Sequence, residues 1–156
     1  MSAITLMLRD EAATGRLAAR IAAGARARDT IALSGPLGSG KTSFARAFIR
    51  ALGRGDEEVP SPTFTLVETY ALPGRPPIWH FDLYRLEAPE EVYELGIEDA
   101  WAEGVSLIEW PERIAVLLPE QRLSLALAAG AAPEGRVATL SGAARWRELI
   151  AGAGDG

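Results

Sequence analysis

Thr30-Ile31-Ala32-Leu33-Ser34-Gly35-Pro36-Leu37-Gly38-Ser39-Gly40-Lys41-Thr42-Ser43-Phe44 is the stretch that decides the fold. Its first five residues form a short apolar run of strand type. The residues from Lys41 to Leu52 set Phe44, Phe48, Ala51 and Leu52 at helical intervals, so the stretch predicts a strand, a glycine loop and a helix. Inside the loop Gly35, Gly40, Lys41 and Thr42 fill the pattern G-x-x-x-x-G-K-[ST]. In that pattern glycines let backbone N–H groups close around phosphates, the lysine reaches the β and γ phosphates, and the hydroxyl binds Mg2+. The pattern arises by chance in roughly 1 in 200 chains of this length. The rival reading, a glycine turn that binds nothing, is made rarer still by the strand before it and the helix after it. Gly35, Leu37, Gly38, Ser39, Gly40, Lys41, Thr42 and Ser43 are therefore expected to hold the phosphates of a nucleotide.

Outward from this unit, Ile4 to Leu8 predicts a strand, and Asp10 an N-cap for a helix that carries Leu17 and Ile21 on one face up to Gly24. Gly53 to Pro62 is polar, rich in Gly and Pro, and reads as a mobile, switch-like connection. Thr63–Tyr70 and Ile78–Tyr84 are β-favouring runs around a Pro/Gly turn, which suits an antiparallel hairpin. Short helices are expected over Pro89–Gly96 and Ile97–Ala102, then a buried strand over Val105–Trp110 and a Pro111-led helical piece. Arg122–Ala128 and Arg136–Leu140 read as a second hairpin, and Arg145–Ile150 as a closing helix. The sum is an α/β chain of the P-loop NTPase fold, with a mixed central sheet and helices on both faces. We expect one domain over 1–156, without linker or internal repeat.

Mg2+ needs further oxygen ligands, which P-loop enzymes usually take from an acid at the end of a neighbouring buried strand. Two acids qualify. Glu109 ends the more apolar run Val105-Ser106-Leu107-Ile108 and is preferred for the metal, with Thr42. Asp82 ends Ile78-Trp79-His80-Phe81, has better access to water, and is assigned to the attacking water. Lys41, Asp82 and Glu109 make up the expected catalytic set. Pro60-Ser61-Pro62-Thr63 reads either as a rigid turn or as a segment ordered by the γ-phosphate. His80, beside aromatics, reads as a hydrogen-bonded core or surface residue in preference to a base. Trp110 reads as packing.

Composition bounds the remaining choices. The chain has 156 residues, 48% hydrophobic and 24% charged, which is ordinary for a folded domain. It has no cysteine and one histidine, so disulfides and thiolate catalysis are excluded and a zinc site is disfavoured. Met1 to Arg9 lacks a signal-peptide pattern and no apolar run approaches a membrane span, so a cytoplasmic protein without membrane contact is expected. The net charge of −5 disfavours a broad nucleic-acid groove. Arg46, Arg50 and Arg54 repeat at helical spacing and read as a solvated face in preference to a basic stripe. Lys41 is the only lysine, against 15 arginines, and asparagine is absent. An Asn-Lys-x-Asp guanine reader is therefore missing, and adenine remains the expected base.

Gly35 to Arg46, Val59 to Val67, His80-Phe81-Asp82-Leu83-Tyr84-Arg85-Leu86, Glu94-Leu95-Gly96 and Ile108-Glu109-Trp110-Pro111-Glu112-Arg113 together resemble, in order and spacing, the bacterial TsaE (YjeE) family. That family is the ATPase component of threonylcarbamoyl-adenosine tRNA modification, and the likeness covers nearly the whole chain. The resemblance implies a mixed sheet, ATP and Mg2+ as cofactors, and slow ATP hydrolysis that matters in a complex with TsaB and TsaD, which carry the transfer chemistry and hold the tRNA. It also implies Thr42 and Glu109 as metal ligands and Asp82 as an acid near the γ-phosphate. Thr63 falls in the switch-like segment, and Trp110 takes a role beyond packing. One departure is Pro36, where many family members have an acid; proline removes an N–H and that negative charge. A small-molecule kinase would need an arginine-rich lid that the sequence lacks, and a non-catalytic nucleotide-gated adaptor would not need the second acid.

Overall fold

The computed structural model describes residues 3–55 and 57–151; the expected domain span of 1–156 includes residues 1, 2, 56 and 152–156, which lie outside the described residues. The described elements are β1 (Ile4–Leu8), α1 (Glu11–Ala23), β2 (Thr30–Ser34), α2 (Lys41–Leu52), β3 (Val67–Tyr70), β4 (Ile78–Asp82), α3 (Ile97–Glu103), β5 (Val105–Glu109), β6 (Arg122–Ala129), β7 (Arg136–Ser141) and α4 (Ala144–Ala151). Two 3-10 segments, Pro89–Leu95 and Pro111–Leu117, each open on a proline whose missing N–H costs nothing in a first turn. The Asp10 carboxylate accepts from the Ala13 N–H at 2.9 Å and starts α1 as its sequence predicts.

The seven strands form one sheet in the order β1-β7-β6-β2-β5-β4-β3. β6, β2, β5 and β4 run parallel to one another, while β1–β7, β7–β6 and β3–β4 pair antiparallel. The parallel strands carry the near-continuous apolar runs expected when both faces are covered. All five residues of β5 are buried, as are the first four of β2. Strand alternation then divides the core. Ile31, Leu33, Ile78, Val105 and Leu107 pack with α1, α2 and α4, whereas Phe81 and Ile108 pack with α3 and the two 3-10 segments on the opposite face. The same parity turns His80, Asp82 and Glu109 toward the α2 face.

Three local features differ from the expectations above. β3 begins at Val67, not Thr63: the Leu66 N–H donates to the Pro62 carbonyl at 2.7 Å and Leu66 adopts φ 69°, so residues 62–66 form a turn. β4 stops at Asp82, whose Oδ1 accepts from the Tyr84 N–H at 3.1 Å and bends the chain. The arginines on α2 are not merely a solvated face. Arg46 donates from Nε to the Val59 carbonyl and Arg50 to the Glu57 carbonyl, both at 3.1 Å, so they tether the connection after α2. Among the described residues no helix is long and apolar enough to cross a membrane.

Candidate functional site

The loop after β2 turns on glycines because its backbone passes where a side chain cannot. At Gly35, φ is 142° and a Cβ would stand 2.4 Å from the Leu127 carbonyl oxygen. Gly40, at φ 100°, ends the loop in the left-handed region and opens α2, whose first residues are Lys41 and Thr42. A helix N-terminus so placed aims unpaired N–H groups and the positive end of its dipole into the loop. Residues 37–43 line one cavity of about 260 Å³ together with Thr63, Asp82, Glu109, Trp110 and Arg136. The structure thus brings the predicted Lys41, Thr42, Ser43, Thr63, Asp82, Glu109 and Trp110 to one place with Leu37, Gly38, Ser39 and Gly40. Gly35, at the loop's entry, is not among the lining residues.

Lys41 is buried, and its Nζ donates to the Gly35 carbonyl and, at 3.1 Å, to the Pro36 carbonyl. Nζ also lies 4.1 Å from the centroid of the Trp110 ring, within cation–π range. Burial pulls the ammonium's pKa below its ordinary value, and the charges of Glu109, Glu112 and Asp82 oppose that shift. Trp110 has φ 60° and ψ 50°, a backbone that a bulky residue adopts at a cost, and its ring packs against Tyr84 at 4.8 Å. Besides packing on Tyr84, the Trp110 ring thus covers the lysine of the loop.

Thr42 and Glu109 meet directly: the hydroxyl lies 3.0 and 3.2 Å from the two carboxylate oxygens. Asp82 is the register partner of Glu109 across β4 and β5, so the two acids stand side by side at the ends of parallel strands. Both are buried, which leaves Asp82 less open to water than its sequence context suggests. Asp82 Oδ2 accepts from the Thr63 hydroxyl at 3.3 Å, and Thr63 Oγ1 lies 2.7 Å from Ser61 Oγ. Among the described residues no three His, Cys, Asp or Glu side chains gather as a metal cluster. One hydroxyl and one carboxylate beside a phosphate loop is a donor set that suits Mg2+, which keeps several waters and takes few protein ligands.

Two further contacts reach the site: one from His80, which is the hydrogen-bonded core residue its sequence context suggests, and one from Arg136, which the sequence did not mark as a site residue. His80 is fully buried, as a core residue would be, and its Nε2 is 2.6 Å from Glu109 Oε2, so it donates to the same carboxylate that Thr42 touches. Arg136 reaches the loop from β7, donating from Nε to the Ser39 carbonyl at 2.8 Å. The register His80↔Leu107 carries the first contact, and it is not written in local sequence; the hairpin of β6 and β7 that carries the second is, but its place beside the β2–α2 loop is not.

A glycine loop between a central parallel strand and a helix, with a lysine, a hydroxyl and two strand-end acids around it, defines the P-loop NTPase class. The model of the family described as "Threonylcarbamoyl adenosine biosynthesis protein TsaE" matches residues 8–137, and the chain belongs to this family. Relatives named "tRNA threonylcarbamoyladenosine biosynthesis protein TsaE" include one from Rickettsia bellii, 43% identical over 113 residues, covering 72% of this chain and 78% of that one. The Rickettsia felis relative has the same identity and length of match, covering 72% of this chain but 66% of its own length. The Bacillus subtilis relative is 38% identical over 115 residues, covering 73% and 70%. The crystal structure of Bacillus subtilis YdiB is similar throughout, with TM-score 0.76, 28% identity, and coverage of 97% of this chain and 94% of that one.

Proposed function

We propose that the protein binds Mg2+-ATP in the 35–43 loop and hydrolyses it slowly as the ATPase component of tRNA N6-threonylcarbamoyladenosine formation, working with TsaB and TsaD proteins that hold the tRNA. The observation that carries this reading is the Thr42–Glu109 contact beside Asp82, at the mouth of the loop cavity. Thr42 and Glu109 would hold Mg2+, which supplies charge neutralisation on the phosphate oxygens. Lys41 exchanges the Gly35 and Pro36 carbonyls for phosphate oxygens. Asp82, held by the Tyr84 N–H and the Thr63 hydroxyl, orients the attacking water. His80 fixes the Glu109 carboxylate from behind. The reaction takes place in the cytoplasm.

The test is ATP hydrolysis by the protein alone and with both partners added. Weak turnover alone, rising in the complex, is the expected outcome, with Asp82→Asn and Glu109→Gln each losing about a hundredfold of the stimulated rate. Hydrolysis by the isolated protein at ~10 per second, an ordinary enzymatic turnover, would contradict partner dependence. Full stimulated activity in Asp82→Asn would remove Asp82 from the chemistry.

A further inference from the structure

Arg136 stands at the start of β7 and crosses to the loop between β2 and α2, far away in sequence. Its guanidinium donates to four backbone carbonyls: Nε to Ser39 at 2.8 Å, Nη2 to Gly38 at 3.3 Å, and Nη1 to Gly135 at 2.7 Å and Pro133 at 3.2 Å. Two of these belong to the phosphate loop and two to the β6–β7 turn, so one planar fork bolts the two segments together. Lysine, a single point of charge, cannot reproduce that span. Among the described residues no carboxylate pairs with Arg136 within 4.0 Å, although the side chain is half-buried and lines the loop cavity. A Cβ on Gly40 would come within 3.3 Å of Nε, so the loop lies directly against the guanidinium.

The consequence follows from peptide geometry. A trans peptide sets its C=O and N–H on opposite sides, and the protein has no cis peptide bonds among its described residues. When the Ser39 carbonyl is held toward Arg136, the Gly40 N–H of the same peptide is turned away from it. That N–H lies in the part of the loop whose amides cradle phosphate in this motif. We propose that Arg136 is a positioning residue for nucleotide binding: it holds the 38–40 peptides in the phosphate-binding orientation before nucleotide arrives and adds an unneutralised positive charge to the site. The inference rests on the reading of this loop as a nucleotide site.

The experiment pairs calorimetric titration of ATP and ADP, each with Mg2+, with amide hydrogen exchange of the protein free of nucleotide, for wild type, Arg136→Ala, Arg136→Lys and Lys41→Ala. In Arg136→Ala, affinity for ATP and ADP is expected to fall together by about tenfold, because loop amides rather than γ-phosphate contacts are lost. Arg136→Lys, which keeps the charge, recovers part of that loss. Exchange quickens in residues 35–43 of Arg136→Ala while β2, β5 and α1 keep their protection. Unchanged affinity in folded Arg136→Ala would overturn the proposal. So would faster exchange spread through the whole sheet, which marks a merely structural residue, or unchanged exchange in the loop. If wild type and Lys41→Ala alike bind no nucleotide, the site reading itself fails, and the exchange data still report whether Arg136 orders the loop.

Discussion

Lys41 carries a cost of burial that its acidic neighbours offset only in part. Its ammonium is buried over the Trp110 ring among loop carbonyls, and burial is the largest influence on its pKa, which falls below the ordinary value. When a cation's pKa falls on folding, the unfolded chain holds the proton more tightly, so the group's contribution to stability is unfavourable while it is charged. That contribution improves only as pH rises from the lowered value toward 10.5. Lys41→Met, without nucleotide, is therefore expected to melt no lower than wild type and to lose the ATP-induced rise in melting temperature. A fall of more than about 4 °C in the free protein would show that the contacts of the lysine outweigh its burial. Gly35→Ala has the opposite signature. Its Cβ would meet the Leu127 carbonyl at 2.4 Å, a backbone atom that cannot swing aside, so a thermal melt should show a loss of about 1–3 kcal/mol. Lys41 was legible in the sequence because a lone lysine in a glycine loop has one role to play. His80 was legible as a hydrogen-bonded core residue but its partner Glu109 was not, and Arg136 was not legible at all, because these partners are brought near only by the arrangement of strands in the sheet.

The elements around the site were largely legible, since periodicity and caps are local properties. β2 and α2 have the bounds their apolar patterns predict, and β5 stops at Glu109, one residue short of the expected Trp110, whose left-handed backbone ends the strand. The exceptions are places where a side chain or turn overrides propensity. Thr63 to Leu66 has the composition of a strand, yet the Leu66–Pro62 hydrogen bond closes a turn that sets Thr63 against Asp82. Arg46 and Arg50 keep helical spacing, but what they touch is set by the path of the connection. That connection is further tied by Glu57, whose carboxylate accepts from the N–H groups of Arg54 and Gly55. The Arg54 N–H is the main reason its pKa is lowered. The tie is present above the carboxyl's unfolded pKa and is lost as pH falls through the folded value. Glu57→Gln at pH 7 is expected to leave global melting unchanged and to speed trypsin cleavage after Arg54. Unaltered cleavage would mean that the two arginines of α2 hold the segment by themselves.

On the scale of the whole molecule, four parallel strands put the loop, both acids and the histidine at one end of the sheet and on one face. β2 lies between β5 and β6, and β5 between β2 and β4, so Asp82 and Glu109 arrive beside the loop from successive neighbours. The sheet order itself was not readable, because hydrophobic runs identify buried strands without saying which strands adjoin. The antiparallel strands β7 and β3, on either side of the parallel four, bring two further contacts to the site: Arg136 comes from β7, and the Thr63 turn leads into β3. The central claim, that this end of the sheet holds Mg2+-ATP, is tested most directly by calorimetric titration with ATP and with GTP, each with Mg2+, of wild type and Lys41→Ala. Binding of ATP that Lys41→Ala abolishes, with little response to GTP, is the predicted result; ATP binding undiminished in Lys41→Ala, or no binding of either nucleotide, would contradict it.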